Sequence, residues 1–347
     1  MNIRTLDPLR ESSWSDLVAR HPAASVFHEP GWIEALVRTY EYEPLVLTST
    51  PPGEPLRDGL VFCRVKSWIT GTRLVSLPFA DHCDPLLEAG QRKETMRAFK
   101  AWLHSEFGRE RLRYVELRLR TDGSDQQFKN GQGYCLHTLD LDRPLAQVFS
   151  GLHRDCMQRR IRHAERMSLK YETGDNQRLL HDFYSLVTIT RRRHALVPQP
   201  YDWFRNLLAC MGDKLQIRLA RKDGIAIAAV LTLTHRSTVV YKYGCSDARY
   251  HRLAGMPFLF WKLIEESKAA GAGEIDLGRS DLDNNGLIVF KDHLGARKTL
   301  HHYLVDCPRK RKYRPRQWVR EVARRVVPLL PSPALPLAGR IMYRHVG

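Results

Sequence analysis

The chain has 347 residues, 43% of them hydrophobic, which predicts a folded protein with room for two domains and excludes a disordered one. Its 55 lysines and arginines outnumber its 38 aspartates and glutamates, so the formal charge is +17 at pH 7. Such an excess indicates an anionic partner: a nucleic acid, a phosphorylated substrate or an acidic membrane surface. Charge alone does not choose among the three.

Seven cysteines are spread along the chain without a CxxC pair or a zinc-type spacing. This pattern predicts neither a disulfide framework nor a structural metal, and it is typical of a protein of the reducing cytoplasm. Residues 1–14 carry charged side chains and lack an apolar segment, so we expect no signal peptide. The sequence also lacks an uninterrupted apolar stretch of about 18 residues, which a membrane-spanning helix needs.

In residues 1–144, helical and strand-like hydrophobic patterns follow one another, which predicts an α/β domain with a mixed sheet. The segments are predicted as helices over residues 14–19, 30–40 and about 93–107, and as strands over residues 45–48, 59–65, 74–77 and 114–119.

Residues 145–307 predict a second α/β domain of similar length and similar element order. It opens with an arginine-rich helix over residues 148–167, continues with helices at 181–192, 201–211 and 257–270, and contains strands at 215–220, 225–234, 238–243, 274–277 and 301–305. The similar order suggests a duplication, although no residue-level repeat proves it.

Residues 308–347 form a tail of different composition. Between Pro308 and Arg325 there are nine basic residues and one acid, and the apolar, proline-interrupted segment Val326–Pro331 follows. A basic run beside an apolar one can lie on an anionic membrane surface. A solvated or nucleic-acid-binding tail, or a segment that packs back on the first domain, fits the same composition.

A turn between a tyrosine-rich strand and a helix contains Arg252, Gly255 and Pro257. The first N–H groups of a helix lack partners and lie at the positive end of its dipole, so such a turn can bind a phosphate or carboxylate. Arg252 and Gly255 are therefore candidate ligands of a phosphate-bearing co-substrate. Pro257 suits the first turn of the helix. The alternative is an ordinary helix start with a tight loop.

Motifs in both halves resemble the FemAB-like branch of the GNAT superfamily, a group associated with peptidoglycan bridge aminoacyl transfer and with exopolysaccharide gene clusters. They occur in the order typical of that group and span most of the chain. The motifs are Phe27–Trp32, Leu77–Pro85, Arg159–Ala164, Arg192–His194 with Pro198–Pro200, Tyr243–Asp247, Asp276–Ser280, and Phe290–Lys291 with Leu294–Gly295.

The resemblance implies two GNAT-like domains in tandem around a cleft and the transfer of an acyl or aminoacyl group onto an amine or hydroxyl. The acceptor it implies is a phosphorylated or lipid-linked precursor of the cell envelope, either peptidoglycan or a polysaccharide. Some members use aminoacyl-tRNA, often with a helical arm that grips the tRNA. Since this chain shows no long heptad hairpin, acyl-CoA is favoured as co-substrate over aminoacyl-tRNA. No permanent cofactor or metal is implied.

Acyl transfer needs a group that accepts a proton and a stabiliser of the tetrahedral intermediate. The resemblance places a substrate-contacting lysine at Lys291, which could meet negative charge. Asp276 follows a strand and could act as a base or orient Arg279, or could cap its own turn. Asp81 and His82 could accept a proton, or form a turn before Pro85 with a solvated histidine.

The remaining candidates are substrate contacts. Arg159, Arg162 and Arg166 share a helix face that would suit a diphosphate, with Arg160 on the adjoining face; a solvated helix face is equally consistent. The same set of candidates includes Arg193, His194 as a possible catalytic base, Tyr243, Arg279 and Ser280.

The predicted function is thus an acyltransferase of the cytoplasm or of the inner face of the membrane. Two alternatives stay open: a nucleic-acid-binding protein that uses the basic helix and tail, and a non-catalytic scaffold that binds an anionic polymer. Against the first, the basic helix lacks aromatic residues for base stacking between residues 152 and 167.

Overall fold

A computed structural model describes residues 1–88, 90–109, 111–120, 128–308 and 334–346. Within this part of the chain there are two compact units. The first comprises residues 1–133, 301–308 and 340–346, and the second comprises residues 134–300 and 334–339. The sequence placed the domain boundary later, between residues 144 and 145, and treated each domain as continuous.

The described strands all belong to β-sheets. They are β1 (Arg4–Leu6), β2 (Glu43–Thr48), β3 (Leu60–Val65), β4 (Arg73–Val75), β5 (Val115–Leu117), β6 (Lys129–Asp140), β7 (Lys170–Gly174), β8 (Leu215–Lys222), β9 (Ile225–His235), β10 (Thr238–Ser246), β11 (Glu274–Asp281) and β12 (Arg297–Asp306).

The described α-helices connect these strands. They are α1 (Ser12–Arg20), α2 (Pro30–Tyr40), α3 (Arg92–Arg109), α4 (Leu145–Gly151), α5 (Arg159–Arg166), α6 (Gln177–Arg193), α7 (Tyr201–Met211), α8 (Gly255–Ala269), α9 (Asn285–Asp292) and α10 (Ala334–Val346).

The two units share one sheet pattern. In the first, the strand order is β1-β2-β3-β4-β5-β12, and every neighbouring pair is antiparallel except β4 and β5. In the second, the order is β7-β8-β9-β10-β11-β6, and only β10 and β11 are parallel. A parallel pair needs a crossover helix, which α3 supplies in the first unit and α8 in the second. The duplication suggested by element order is thus visible in the topology.

The sixth strand of each sheet breaks the linear order of the chain. β12, at the end of the second half, pairs with β5 of the first unit through Leu304–Asp306. β6, which follows β5 in sequence, pairs with β11 of the second unit through Tyr134–Asp140. A division of the chain into two continuous stretches therefore cannot reproduce the strand orders of the two units.

Each unit has its own hydrophobic core. In the first, the inward side chains of β2 and β3 pack on α3, as Leu47, Phe62, Phe99 and Leu103 show. In the second, apolar side chains of α5 and α8 pack over β9, β10 and β11. Helix α8 is buried along most of its length, which explains why its sequence is apolar on several sides.

The single helix predicted over residues 148–167 is wrong. The chain leaves helical geometry at Leu152, with φ −69° and ψ 144°, and at His153, with φ −57° and ψ 127°. A short π-helical turn over Arg154–Gln158 then leads into α5. The arginine content hides this break, because arginine has a high helix propensity, although Gly151 directly before the two extended residues could have marked it.

Most of the predicted tail lies outside the described residues, which resume at α10. The basic run and the apolar segment up to residue 331 are therefore not covered by the fold. Across the described ranges, every helix is too short or too polar to cross a bilayer.

Gly295 is a point of close backbone approach in the second unit. Its φ is +72°, and a Cβ added there would lie 2.8 Å from the carbonyl oxygen of Gly151. Both features exclude a side chain, because backbone cannot rotate away as a flexible side chain can.

We therefore expect Gly295→Ala to lower the free energy of unfolding by about 1–3 kcal/mol, through a left-handed alanine and a backbone clash. Chemical denaturation followed by circular dichroism measures this change in the free energy of unfolding. Gly286→Ala is the matched control, because Gly286 lies in α9 with open space where a Cβ would be added. This substitution should raise the free energy of unfolding by up to about 1 kcal/mol. If both substitutions change the free energy of unfolding equally, the backbone at Gly295 does not exclude a side chain.

His28, in the predicted Phe27–Trp32 motif, is a buried neutral imidazole in the first unit. The amide N–H of Ser25 donates to its Nδ1 at 3.0 Å, so Nε2 carries the ring hydrogen and donates to the carbonyl oxygen of Asp84 at 2.8 Å. Burial is the main reason that the pKa of His28 falls from 6.5 to about 4.

The lowered pKa predicts a stability loss in acid. The unfolded chain takes up this proton near pH 6.5 and the folded chain only near pH 4, so the contribution of His28 is complete above about pH 6.5 and is lost as the pH falls through this window. The loss should approach about 3 kcal/mol below pH 4. His28→Gln, which keeps a donor for Asp84, should flatten the dependence of unfolding free energy on pH. If the pH dependence of the free energy of unfolding is the same in His28→Gln as in the wild type, His28 is not the buried neutral imidazole that causes the loss.

Candidate functional site

Strands β10 and β11 of the second unit pair over only three positions before their parallel register ends. The register runs from Thr238 opposite Glu274 to Val240 opposite Asp276. Immediately afterwards each strand has an irregularity against its other neighbour: β10 between Tyr241 and Tyr243 against β9, and β11 between Asp276 and Arg279 against β6. Bulges increase local twist and bend a strand. The two strands therefore part at the carboxyl end of their paired segment.

Two residues predicted as catalytic stabilise the bulge in β11. The carboxylate of Asp276 accepts the amide N–H of Gly278 at 2.7 Å, and Gly278 has a φ of +70°. Lys291 is 1% exposed, and its ammonium donates to the carbonyl oxygens of Gly278 at 2.8 Å and Arg279 at 3.2 Å. These contacts show how Asp276 and Lys291 position the strand; whether either also contacts a substrate stays a prediction.

The predicted phosphate-type turn is the start of α8. Ala254, in the left-handed region with φ 59°, is the N-cap, and within the described chain no side chain caps this first turn. Gly255 follows, packed so closely that a Cβ would lie 3.0 Å from that of Ala228. Arg252 precedes the cap and is exposed. The first amides of a long helix are thus left for another acceptor.

A pocket of about 560 Å³ opens at this helix start. The volume lies within the range of small-molecule sites. Its wall is formed by the start of α8 together with residues from α5 and the turn before it, β9, the end of β10, and α9. The lining residues include Arg160, Cys156, Ser246, His251, Gly255 and His293.

His251 is a neutral imidazole at the pocket wall. Arg193 Nη1 lies 3.0 Å from its Nε2, and the hydroxyl of Ser246 also lies 3.0 Å from Nε2. Because a guanidinium can only donate, Nε2 is an acceptor and Nδ1 carries the hydrogen. Partial burial lowers the pKa of His251, the positive charges of Arg193 and Arg160 lower it further, and Asp247 opposes them. This imidazole is therefore uncharged at neutral pH.

The predicted arginine face is divided by the structure. Arg160 lines the pocket. Arg159 forms an ion pair with Asp155 at 2.6 Å, and the guanidinium of Arg162 lies over the ring of Phe149 at 5.4 Å. Of the four arginines predicted to bind substrate on this helix, Arg160 is the one that lines the pocket, and Arg166 is exposed outside it.

His194 ends α6 beside Arg193 and is exposed. Its Nε2 lies 3.3 Å from Arg193 Nη2. Partial burial, followed by the charges of Arg193 and Arg191, lowers the pKa of His194. Arg193 thus contacts both His194 and His251, and through His251 it adjoins the pocket.

Three further candidates lie around the bulges. The hydroxyl of Tyr243 accepts the indole N–H of Trp203 at 2.9 Å. Arg279 forms an ion pair with Asp281 at 2.8 Å. Ser280 is buried, and its hydroxyl has no hydrogen-bond partner among the described residues. All three lie outside the lining of the pocket as the described residues define it.

Asp81 and His82 belong to the first unit, in a buried loop. The hydroxyl of Tyr303 donates to the carbonyl oxygen of Asp81 at 3.2 Å, and the ring of His82 packs edge-on against Phe27. Buried Arg118 supports the same loop by donating to the carbonyl oxygens of Leu77 and Ala80 at 3.0 and 3.2 Å. His82 is therefore buried, and the alternative of a turn before Pro85 with a solvated histidine is wrong.

Sequence reasoning missed several residues of the pocket wall. His251 stands directly before Arg252 in the predicted turn, so the turn itself could have indicated it. Ser246 lies within the Tyr243–Asp247 motif but was not singled out, and nothing in the spacing of Cys156 and His293 indicates that they share a wall with it.

Comparisons with known proteins find a family match within the second unit. Residues 151–286 match the family described as the acetyltransferase (GNAT) domain. Among curated proteins, none matches the chain. The matched segment contains the whole of β7 to β11 and α8, and therefore the parted strands and the helix start.

Solved structures resemble the whole chain. FemX is 12% identical, with a TM-score of 0.68 over 92% of this chain and 100% of that chain. A tandem GNAT protein from the clavulanic acid biosynthesis pathway is 12% identical, with a TM-score of 0.55 over 88% and 97%. The C-terminal domain of a protein assigned as a lysylphosphatidylglycerol synthetase, from Agrobacterium fabrum, is 15% identical, with a TM-score of 0.52 over 85% and 90%.

At these identities the solved structures establish a shared fold, which confirms the predicted mixed α/β class with two GNAT-like domains. Together with the family match they support acyl or aminoacyl transfer as the general reaction class. Residues 151–286 therefore match the acetyltransferase (GNAT) domain family, and the chain shares its fold with FemX and with a tandem GNAT protein.

Proposed function

We propose that the second unit is an N-acyltransferase domain that binds an acyl-CoA donor in the pocket at the start of α8. The observation that carries the proposal is the combination of uncapped first-turn amides at Gly255 with a guanidinium from Arg160 in one pocket. Amides at a helix start and an arginine are both suited to phosphate oxygens. The acetyltransferase description of residues 151–286 supports the same donor class.

The parted strands support an extended donor. Beyond Val240 and Asp276, the facing edges of β10 and β11 are no longer bonded to each other in parallel register. Strand edges bind extended segments through main-chain hydrogen bonds. The pantetheine arm of coenzyme A carries two amide groups, so it can use such edges, whereas its diphosphate can use the helix start.

The reaction follows from acyl chemistry. An amine or hydroxyl of the acceptor attacks the thioester carbonyl, the C–S bond breaks, and the acceptor proton passes to a base while the thiolate leaves. His251 is uncharged at neutral pH and lines the pocket, and its Nε2 is the ring nitrogen that would take this proton once Arg193 releases it. His194 and Asp276 remain the bases proposed from sequence.

For the acceptor, we propose a phosphorylated or lipid-linked precursor of the cell envelope, met in the cytoplasm or at the inner face of the membrane. The net charge of +17 and the exposed arginines of α5 support an anionic acceptor. Resemblance to the FemAB-like group supports the envelope. Aminoacyl-tRNA is the competing donor, since its phosphates would meet the same charges.

Arg160→Gln should weaken binding of acetyl-CoA about tenfold or more, because it removes one charge-assisted contact to phosphate. Isothermal titration calorimetry with the full chain measures the change. Arg166→Gln is the control: it removes the same charge from the same helix at an exposed position outside the pocket lining. If both variants weaken acetyl-CoA binding equally, the loss comes from the lower net charge and not from a contact made by Arg160.

Failure of the wild-type chain to bind acetyl-CoA, together with binding of aminoacyl-tRNA that Arg160→Gln weakens, would replace the proposed donor. Binding of polyanions without turnover from either donor would favour the scaffold.

Lys291→Met should lower both stability and turnover. The substitution keeps the chain length of the side chain but leaves the carbonyls of Gly278 and Arg279 without this donor, at a cost of about 1–3 kcal/mol. Lys298→Met, at a half-exposed lysine paired with Asp292, should change stability by less than about 1 kcal/mol. If kcat falls while the free energy of unfolding is unchanged, Lys291 acts on the reacting groups and not on the bulge.

A further inference from the structure

Two histidines and a cysteine converge at the edge of the pocket. His153, Cys156 and His293 each present one donor atom, and these atoms all lie within 4.8 Å of one another. Cys156 and His293 also line the pocket. The cluster has no part in the acyl transfer described above, so it calls for its own explanation.

The fold holds the two segments of the cluster together. The amide N–H of His153 donates to the carbonyl oxygen of His293 at 2.8 Å, and the two imidazole rings lie 4.3 Å apart. Two residues away on each side, Gly151 and Gly295 make the close backbone approach that excludes a Cβ. Convergence of these side chains therefore follows from backbone packing and does not depend on side-chain rotation alone.

We propose that His153, Cys156 and His293 form a site for a divalent d-block cation, with zinc as the expected ion. Two imidazole nitrogens and a thiolate are the donor set that zinc prefers. Tetrahedral bonds of about 2.0–2.3 Å place donor atoms about 3.3–3.8 Å apart, so donors within 4.8 Å need only a modest side-chain adjustment. Three protein ligands leave a fourth position open, beside the pocket that Cys156 and His293 line.

Ligation by His153 through Nδ1 would compete with a local turn. Its Nδ1 accepts the amide N–H groups of Asp155 at 3.3 Å and Cys156 at 3.2 Å. Both distances are longer than the commonest N–H hydrogen-bond length of about 2.9–3.0 Å, so these bonds are on the weak side. An imidazole nitrogen has one lone pair, and a cation bound at Nδ1 would replace both amides.

A cation here would change the electrostatics of the pocket. It would add positive charge beside Arg160 and hold Cys156 as a thiolate. Its open position could take an oxygen of an anionic ligand or a water. The site is independent of which acyl donor binds, because its ligands come from the protein alone.

Cobalt(II) titration of the chelator-treated full chain tests the site, because a thiolate bound to cobalt gives a charge-transfer band in the near ultraviolet and tetrahedral cobalt absorbs in the visible. We expect one equivalent of cobalt to develop both bands and zinc to displace it. Cys156→Ser should abolish the charge-transfer band, and His293→Ala should weaken cobalt affinity at least about tenfold.

Matched controls are Cys210→Ser and His163→Ala, a half-buried cysteine and a half-buried histidine of the same unit outside the cluster, which should leave both bands unchanged. Circular dichroism of each variant confirms folding, and His293→Gln provides a second ligand variant should His293→Ala not fold.

Cobalt bound without a charge-transfer band, or a band lost equally in Cys210→Ser, would overturn the proposal. Neither result bears on acetyl-CoA binding, which is measured without added metal, so the two proposals fail separately.

Discussion

The parting of β10 and β11 after three paired positions is the constraint on which the candidate site depends. A parallel pair requires its crossover helix to return across the sheet, and the start of α8 therefore lies at the carboxyl end of β10. If the strands stayed paired, their edges would be occupied by each other. Because each strand bulges where pairing ends, the same point offers open strand edges and the first amides of a buried helix.

The stability of this arrangement rests on polar groups inside the fold. Two side chains of opposite charge stabilise the irregular backbone around Gly278. The carboxylate of Asp276 accepts a backbone amide, and the ammonium of Lys291 donates to two backbone carbonyls. Buried charges are costly unless they are paired or hydrogen-bonded. Backbone geometry thus explains why a carboxylate and an ammonium occupy these two positions.

Local patterns in the sequence predicted elements well where one periodicity dominated. The helices predicted at residues 30–40 and 201–211 coincide with α2 and α7, whose apolar faces repeat at helical spacing. β6 was not predicted, since its polar start, Lys129–Gln132, hides the apolar residues that follow. The exchange of β6 and β12 between the units is a property of non-local pairing, which no window of sequence contains.

The site was predictable in part for the same reason. The turn with Arg252 and Gly255 is continuous in sequence, so its likeness to a phosphate-binding helix start could be recognised. Arg160 was one of several equivalent arginines, and only the break before α5 and the packing of Arg162 on Phe149 separate their roles. His293 is distant from His153 and Cys156 in sequence, so spacing could not indicate their convergence.

Electrostatics couple donor binding to proton transfer in the proposed reaction. His251 is held neutral by burial and by the positive charges of Arg193 and Arg160. A phosphate bound beside Arg160 would offset this positive potential, and the pKa of His251 would then rise toward its ordinary value. A stronger base would thus form only with donor in place, and by linkage a protonated His251 would strengthen donor binding by the same factor. The pocket would therefore favour proton removal from the acceptor after the anionic donor has bound, which is the order that acyl transfer in a ternary complex requires.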